Sequence, residues 1–397
     1  MQSDERKWRA LWILALALVL GMTTWFSASA VIPQLRDEWN LSQGGAAWLT
    51  IAVQLGFVAG AIVSSITNLS DLVSPRLVVF AGAAGASAAN MLLLVTTGPG
   101  AAIPARFATG FFLAGVYPPA LKLMATWFRT GRGTALGILV GALTLGAALP
   151  HLVNGLGSLD PDVVIKTTSV LTLLGGAIAL TVSEGPFPFP RARFDPRQAR
   201  LVFSNRGVRL ASLGYFGHMW ELYAVWAWFV VFFADVTGSA AAAPYATFAV
   251  IGVGTLGCWI GGVLGDDWGR TRTTITMMIV SGTCALLIGL VGTRGPIPLL
   301  VVVGLVWGFA VVADSAQFST IVTELADQSY VGTALTLQLA VGFTLTVATI
   351  WLIPLFEQAF TWRWAFLLLA PGPALGAIAM LRLQRAPEAL GIAGGRG

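Results

Sequence analysis

The chain has 397 residues, of which 56% are hydrophobic and 10% charged, and its mean hydropathy is +0.79. Soluble domains do not reach that balance, so an integral membrane protein is predicted. A net charge of +5 and a pI near 9.6 do not indicate a nucleic-acid partner, because the basic residues punctuate apolar runs instead of gathering in one soluble segment with interleaved aromatics.

The chain opens on RKWRALWILALALVLG, followed by the small residues SASA at 27–30. That pattern reads either as a secretory signal with a cleavage site or as an uncleaved first helix, and an apolar run of about 20 residues favours the helix. Apolar runs follow one another at 10–32, 43–69, 76–97, 101–126, 133–155 and 164–184, then at 208–235, 244–265, 273–293, 298–325, 332–355 and 363–383. Each is close to the roughly 20 residues that cross a bilayer core. The predicted fold class is therefore an all-α membrane protein of twelve transmembrane helices in two six-helix bundles, 1–184 and 208–397, with a cytoplasmic linker at 185–207. The connector between them, residues 184–209, holds six arginines and four prolines and suits no spanning helix. Cys258 and Cys284 both lie in apolar runs, which predicts core packing and no disulfide framework.

Orientation follows from the basic residues. With an even number of spans both termini share a side, and that side holds seventeen Arg and Lys against four opposite (Arg36, Lys166, Arg294, Arg363). Both termini are thus expected in the cytoplasm, and the chain in a bacterial cytoplasmic membrane. Asp71, between the second and third runs, and Asp266, between the eighth and ninth, are 195 residues apart, close to half the chain. Two equivalent halves are the economical reading.

Gly262, Asp266, Gly269, Arg270 and Arg272 resemble the cytoplasmic loop signature of the major facilitator superfamily. A degraded first-half copy keeps Asp71 and Arg76 but has Thr67 and Ser74 where that family has glycine. Arg106 and Gly110 are similar to its Arg-x-x-x-Gly motif. Residues 115–137, GVYPPALKLMATWFRTGRGTALG, resemble its nitrate/nitrite- and cyanate-type permease branch. The likeness implies a transporter whose first, fourth, seventh and tenth helices line a central cavity. It departs from the nitrate/nitrite type in having no basic residue in its second or eighth run, which speaks against an inorganic-anion site. In the loops, Asp71, Arg76, Asp266 and Arg270 read as conformational gates that lock one state through charge-assisted bonds. The alternative is solvated charges that fix topology.

An ionisable residue at mid-span costs about 2.5–3.5 kcal/mol on insertion scales, so such residues face protein or a wet cavity. Glu221 and His218 lie mid-way along the seventh run, three apart and so on one helical face. Asp314 lies mid-way along the tenth, Arg106 toward the outer end of the fourth, and Glu324 at the cytoplasmic end of the tenth, where interfacial water is expected to serve it. Removing the repeat offset places Phe26 opposite Glu221 and Pro119 opposite Asp314, so the acids belong to the second half only. Two readings follow for Glu221, His218 and Asp314: proton coupling, with Arg106 as counter-ion or proton-route residue, or permanent structural bonds. Arg106 reads equally as an interfacial arginine.

Candidate cavity residues are Thr24, Trp25, Ser27 and Tyr117 from the first half and Trp220, Tyr223, Trp228 and Gln338 from the second. His151, beside Pro150 and Asn154, reads as a satisfied wall residue. The function expected is secondary transport of a small organic solute by alternating access, proton-coupled through Glu221 and Asp314. The alternatives are a divalent-metal exporter using His151, His218, Glu221 and Asp314, or a facilitative uniporter. No nucleophile elbow, P-loop or zinc-helix motif occurs, so neither an enzyme nor a cofactor is implied. A monomer in the lipid bilayer is expected, with its substrate and protons as partners.

Overall fold

The structure, a computed structural model, describes residues 2–67, 69–128, 131–157, 160–187, 195–327 and 329–397, without the side chains of a few helical residues, Asp71 among them. Every regular element among the described residues is a helix. Hydrocarbon leaves no other choice to an open chain, because each backbone N–H and C=O must be satisfied within its own segment.

Ten helices are long and apolar enough to cross a bilayer. They are the second span, Gly44–Ile66, the third, Pro75–Val95, the fifth, Arg132–Leu156, and the sixth, Pro161–Ala179, followed by the seventh to twelfth: Arg206–Thr237, Ala243–Asp267, Arg270–Arg294, Ile297–Leu325, Val331–Phe360 and Trp362–Gln384. The expected first and fourth spans are helical too, but each is made of pieces. The first, Gln2–Gly21, begins with a charged segment, and after residues 22–26 the chain resumes as the short helices Ser27–Ala30 and Ile32–Trp39. The fourth consists of Pro99–Leu113 and Tyr117–Ala125. Pro118 and Pro119 cannot donate to a preceding turn, so the helix restarts at them after tight bonds from Gly115 N to Phe112 O and Val116 N to Leu113 O, each 2.9 Å.

Of the linker, residues 188–194 lie outside the described residues. Its end is the helix Ala199–Ser204, and the Asn205 side chain then caps the seventh span by accepting from Val208 N at 3.1 Å.

In the first half the second span packs on the fourth, and the first on the fifth and sixth. In the second half the seventh packs on the eleventh and twelfth, and the eighth on the tenth. Small residues permit the closest approaches: a Cβ on Gly110 would strike the Val53 carbonyl, and one on Gly261 the Ala313 carbonyl. The two halves meet along two lines, fifth span against eighth and second against eleventh. Hydroxyls bridge both, Thr255 Oγ1 donating to Gly141 O at 3.1 Å and Ser65 Oγ lying 3.1 Å from Thr336 Oγ1.

Gly110→Val is expected to destabilise the protein by about 1–3 kcal/mol through overpacking. Thermal unfolding followed by fluorescence-detected size exclusion checks this, and an unchanged Tm contradicts the packing described.

Candidate functional site

The seventh span is unbroken over 32 residues, from Arg206 to Thr237, and carries two buried polar clusters one turn apart. In the cluster farther from the linker Glu221 Oε1 accepts from Trp307 Nε1 at 2.6 Å and Oε2 from Ser281 Oγ at 2.9 Å. In the one nearer the linker His218 Nε2 lies 2.8 Å from Ser315 Oγ. Its Nδ1 lies 2.9 Å from Asp314 Oδ1, off the axis of a straight hydrogen bond, since that oxygen has no well-aligned donor. Glu221 and Asp314 are 1% and 2% exposed, so each depends on these contacts alone. His218 and Glu221 share one face of the helix, but the imidazole turns to Asp314 and not to Glu221. The tenth span breaks at Asp314, between Ile297–Ala313 and Ser315–Leu325, and the break brings Asp314 and Ser315 to the histidine.

Arg106 has a different setting. It is wholly buried and is therefore no interfacial arginine. Its Nε donates to Leu49 O at 3.3 Å, and its Nη1 to Thr24 O at 2.9 Å, Ser27 Oγ at 3.1 Å and Asn90 Oδ1 at 3.0 Å. Its Nη2 donates to Trp25 O. Two of these carbonyls, Thr24 and Trp25, belong to the gap at 22–26 in the first span, where the helix leaves them without an internal donor. No acid is among these partners. The guanidinium closes a gap in the backbone and ties the first four spans together.

The hydroxyls of the first-half wall are turned the same way. Ser27 Oγ donates to Asn90 Oδ1 at 2.7 Å, and Thr24 Oγ1 accepts from Thr172 Oγ1 at 3.3 Å. Both are spent on packing within their own half. Trp25 instead points to the centre, with ring centroids 4.7 Å from Phe57, 5.8 Å from Tyr223 and 5.8 Å from Phe343. Phe26 extends this seam to Trp226 at 5.8 Å, so aromatic rings of both halves meet across the molecular centre.

Several polar groups around the seam have no hydrogen-bond partner among the described residues: Trp25 Nε1, Trp226 Nε1, both amide atoms of Gln54, Gln338 Nε2 and both ring nitrogens of His151. Gln54 sits one turn from Phe57 and one from Thr50, whose hydroxyl is 2.7 Å from Ser29 Oγ, which fixes its face toward the first span. Buried polar groups are normally satisfied, and leaving one unmade costs about 1–3 kcal/mol. His151 is thus not the satisfied wall residue expected of it.

Of the other cavity candidates, Trp228 is fixed by its Nε1 to Ile350 O at 2.8 Å, and Tyr117 is half-buried at the restart of the fourth span. Trp220 donates to Leu368 O at 2.9 Å and lines a groove on the lipid-facing flank, away from the seam.

At the linker side of the bundle Asp266 and Arg270 form part of a larger cluster. Asp266 Oδ2 accepts from Thr134 N at 3.2 Å and Thr134 Oγ1 at 3.3 Å, a bond from one half to the other. Arg270 reaches Asp266 Oδ1 at 3.3 Å, Gln317 Oε1 at 3.0 Å and Glu324 Oε1 at 2.9 Å. Glu324, expected to be served by water, is instead Arg270's closest acidic partner. Its sequence signal was position alone, at a helix end within reach of that loop. The side chain of Asp71 lies outside the described residues, and Arg76 is exposed in the first turn of the third span. Trp307, Ser281 and Ser315 carried no signal in the sequence, since each sits in an apolar run with nothing to show which way it faces.

No group of three or more His, Cys, Asp or Glu among the described residues converges as a metal site requires, so no geometry favours the metal-exporter alternative. Residues 14–348 match the family described as the Major Facilitator Superfamily. The chain belongs to that superfamily. It is a multi-pass membrane transporter, not an enzyme.

Relatives include the probable actinorhodin transporter of Streptomyces coelicolor, 27% identical over 210 residues covering 50% of this chain and 36% of that protein. A puromycin resistance protein of Streptomyces alboniger is 27% identical over 38% of this chain and 30% of its own length. The gentisate transporter of Corynebacterium glutamicum is 29% identical over 46% and 42%. The alignments thus span less than half of each relative. Among solved structures, a D-xylose-proton symporter superposes with a TM-score of 0.74 at 16% identity, covering 96% of this chain and 98% of its own. An inward-facing bacterial homolog of the human lysosomal transporter Spinster gives 0.68 at 15%, covering 95% of each. Both likenesses concern the fold.

Replacing Arg106 by Met orphans its buried acceptors at about 1–3 kcal/mol each, so a marked fall in Tm is expected, partly restored by Arg106→Lys. A Tm that stays put in both variants contradicts the structural role.

Proposed function

We propose that this transporter is a secondary carrier that moves a small organic solute across the bacterial cytoplasmic membrane by alternating access, driven by protons through Glu221 and Asp314. The observation that carries the reading is the asymmetry of buried charge. Both acids sit in the second half, enclosed by Trp307, Ser281, His218 and Ser315, while the buried cation of the first half, Arg106, is occupied by neutral acceptors. A carboxylate so enclosed is favoured to move when its proton is gained or lost, because neutralising it removes the cost of closing protein around a charge. His218, whose imidazole lies between Asp314 and Ser315, can take a proton on one ring nitrogen and release one from the other. Arg106 then acts on coupling by holding the broken first span, not as a proton carrier.

The seam between the halves supports the substrate class. It offers aromatic faces from Trp25, Tyr223 and Trp226 and hydrogen-bonding groups on Gln54 and Gln338, with no free charge among them, which favours a small organic molecule over an inorganic ion. The gentisate and actinorhodin transporters, by their names, act on organic molecules, and this supports the same reading. Residues 115–137 keep their likeness to the nitrate/nitrite- and cyanate-type branch, which we take as a local feature of the fourth and fifth spans. Residues 1–184 and 208–397 are the proposed rocking bodies, with both termini cytoplasmic and the chain acting as a monomer. Asp266, Arg270 and Thr134, with Asp71 and Arg76 in the sister loop, are the proposed gate on the linker side.

A thermal-shift screen of organic metabolites and drugs identifies a ligand, whose movement is then measured in proteoliposomes with and without a pH gradient. Uptake or efflux by the unaltered protein is expected to follow the gradient. Glu221→Gln and Asp314→Asn are each expected to abolish gradient-driven accumulation at least tenfold while sparing exchange of labelled for unlabelled ligand. Full gradient dependence in both variants refutes the coupling assignment, and its absence in the unaltered protein makes the chain a facilitative uniporter.

A further inference from the structure

Outside the seam a groove of about 510 Å³ lies between the seventh and twelfth spans. Its floor is backbone: Gly217 and Gly372 approach so closely that a Cβ on either would meet the other's carbonyl. Its walls are apolar, with Leu213, Leu375 and Ile378 at 48%, 66% and 46% exposure. One end is closed by the ring of Trp220 and the other by Arg382. Arg209, one turn before Leu213 on the same stripe of the seventh span, is exposed just beyond that basic end, where its Nη1 donates to Phe203 O at 3.1 Å and must turn from it to meet a phosphate. Arg382 pairs with no acid among the described residues.

We propose that this groove binds one acyl chain of an anionic phospholipid, with its phosphate held by Arg382 and Arg209. Three features support that occupant. The walls belong to membrane-spanning helices, so hydrocarbon and not water covers them. From Arg209 to Trp220 the seventh span rises about 16 Å at 1.5 Å per residue, close to half of a ~30 Å hydrocarbon core, so the groove is as long as one leaflet. The basic residues stand only at the interfacial end, where a lipid phosphate lies, and basic pockets between spanning helices are suited to anionic headgroups. The groove also backs onto Gly217, next to His218, so an occupied groove steadies the helix that carries both titratable clusters. Only the name of the leaflet, cytoplasmic, rests on the orientation proposed above; binding itself is read without any transport measurement.

The test compares 1-palmitoyl-2-oleoyl-phosphatidylglycerol with the phosphatidylcholine of identical chains, by native mass spectrometry and thermal shift on the detergent-purified full chain. A preference for phosphatidylglycerol of about tenfold is expected. In Arg382→Gln combined with Arg209→Gln the preference is expected to fall to parity. Ile378→Trp, which fills the groove but keeps both arginines, is expected to lose the tightly bound lipid. Both variants are checked for an unchanged elution profile in phosphatidylcholine. Equal binding of the two lipids by the unaltered protein, or an undiminished preference in the double variant, overturns the proposal. So does an equal shift with inorganic phosphate alone, which would assign the arginines to a free anion.

Discussion

Inside a bilayer a helix can be broken only where something else takes up the freed backbone groups, and this constraint organises the molecule. The first span breaks at residues 22–26, and Arg106 satisfies the exposed carbonyls of Thr24 and Trp25. From that one insertion follow the inward turn of Ser27 and Thr24, the anchoring of Asn90, and the release of Trp25 toward the centre. The tenth span breaks at Asp314, and there His218 of the seventh span meets the acid. In each half, then, an ionisable group is set against a break: Arg106 against that of the first span and His218 with Asp314 against that of the tenth. The first is served by a cation bonded to neutral acceptors, the second by the His218–Asp314 pair on which the proposed proton coupling rests.

That difference gives the halves different work. The first half has a closed hydrogen-bond network around a permanent charge and behaves as a scaffold for the aromatic face it shows its partner. The second half holds its acids in small clusters whose members come from the seventh, ninth and tenth spans, so a change in protonation alters how those helices pack on one another. The eighth and eleventh spans are pressed against the fifth and second, and in the proposed mechanism they carry such a change to the interface between halves. On the linker side the bond from Asp266 to Thr134 joins the same two bodies, and Arg270 couples it to Gln317 and Glu324 on the tenth span. Asp314 and this cluster therefore share one helix.

The architecture was readable from the sequence because its signals are local. Run length, the arginines of the connector and the recurrence of Asp71 and Asp266 need no knowledge of which residues touch, and the loop signature at Gly262–Arg272 pointed to the superfamily. The partners of the buried charges were not readable, because an apolar run gives the depth of a residue without its rotation about the helix axis. His218 and Glu221 share a face, yet only three-dimensional packing decides that one meets Asp314 and the other Trp307 and Ser281. The pieces of the first and fourth spans were hidden for a related reason: Pro118 and Pro119 mark the second break, but nothing in TTWFS marks the first, and the arginine that closes it stands 82 residues after Thr24, brought there only by the fold. Trp220 shows the converse case, a cavity candidate in the sequence whose ring lines the groove between the seventh and twelfth spans.

The central claim is that Glu221 and Asp314 change protonation as the transporter works. Infrared difference spectroscopy of the protein in lipid, titrated across neutral pH, reads carboxyl protonation directly. A protonated-carboxyl band that rises and falls with pH and is reduced in Glu221→Gln or Asp314→Asn is the predicted result. A spectrum with no such band, or one untouched by both substitutions, would contradict the account and leave the two clusters as structural bonds.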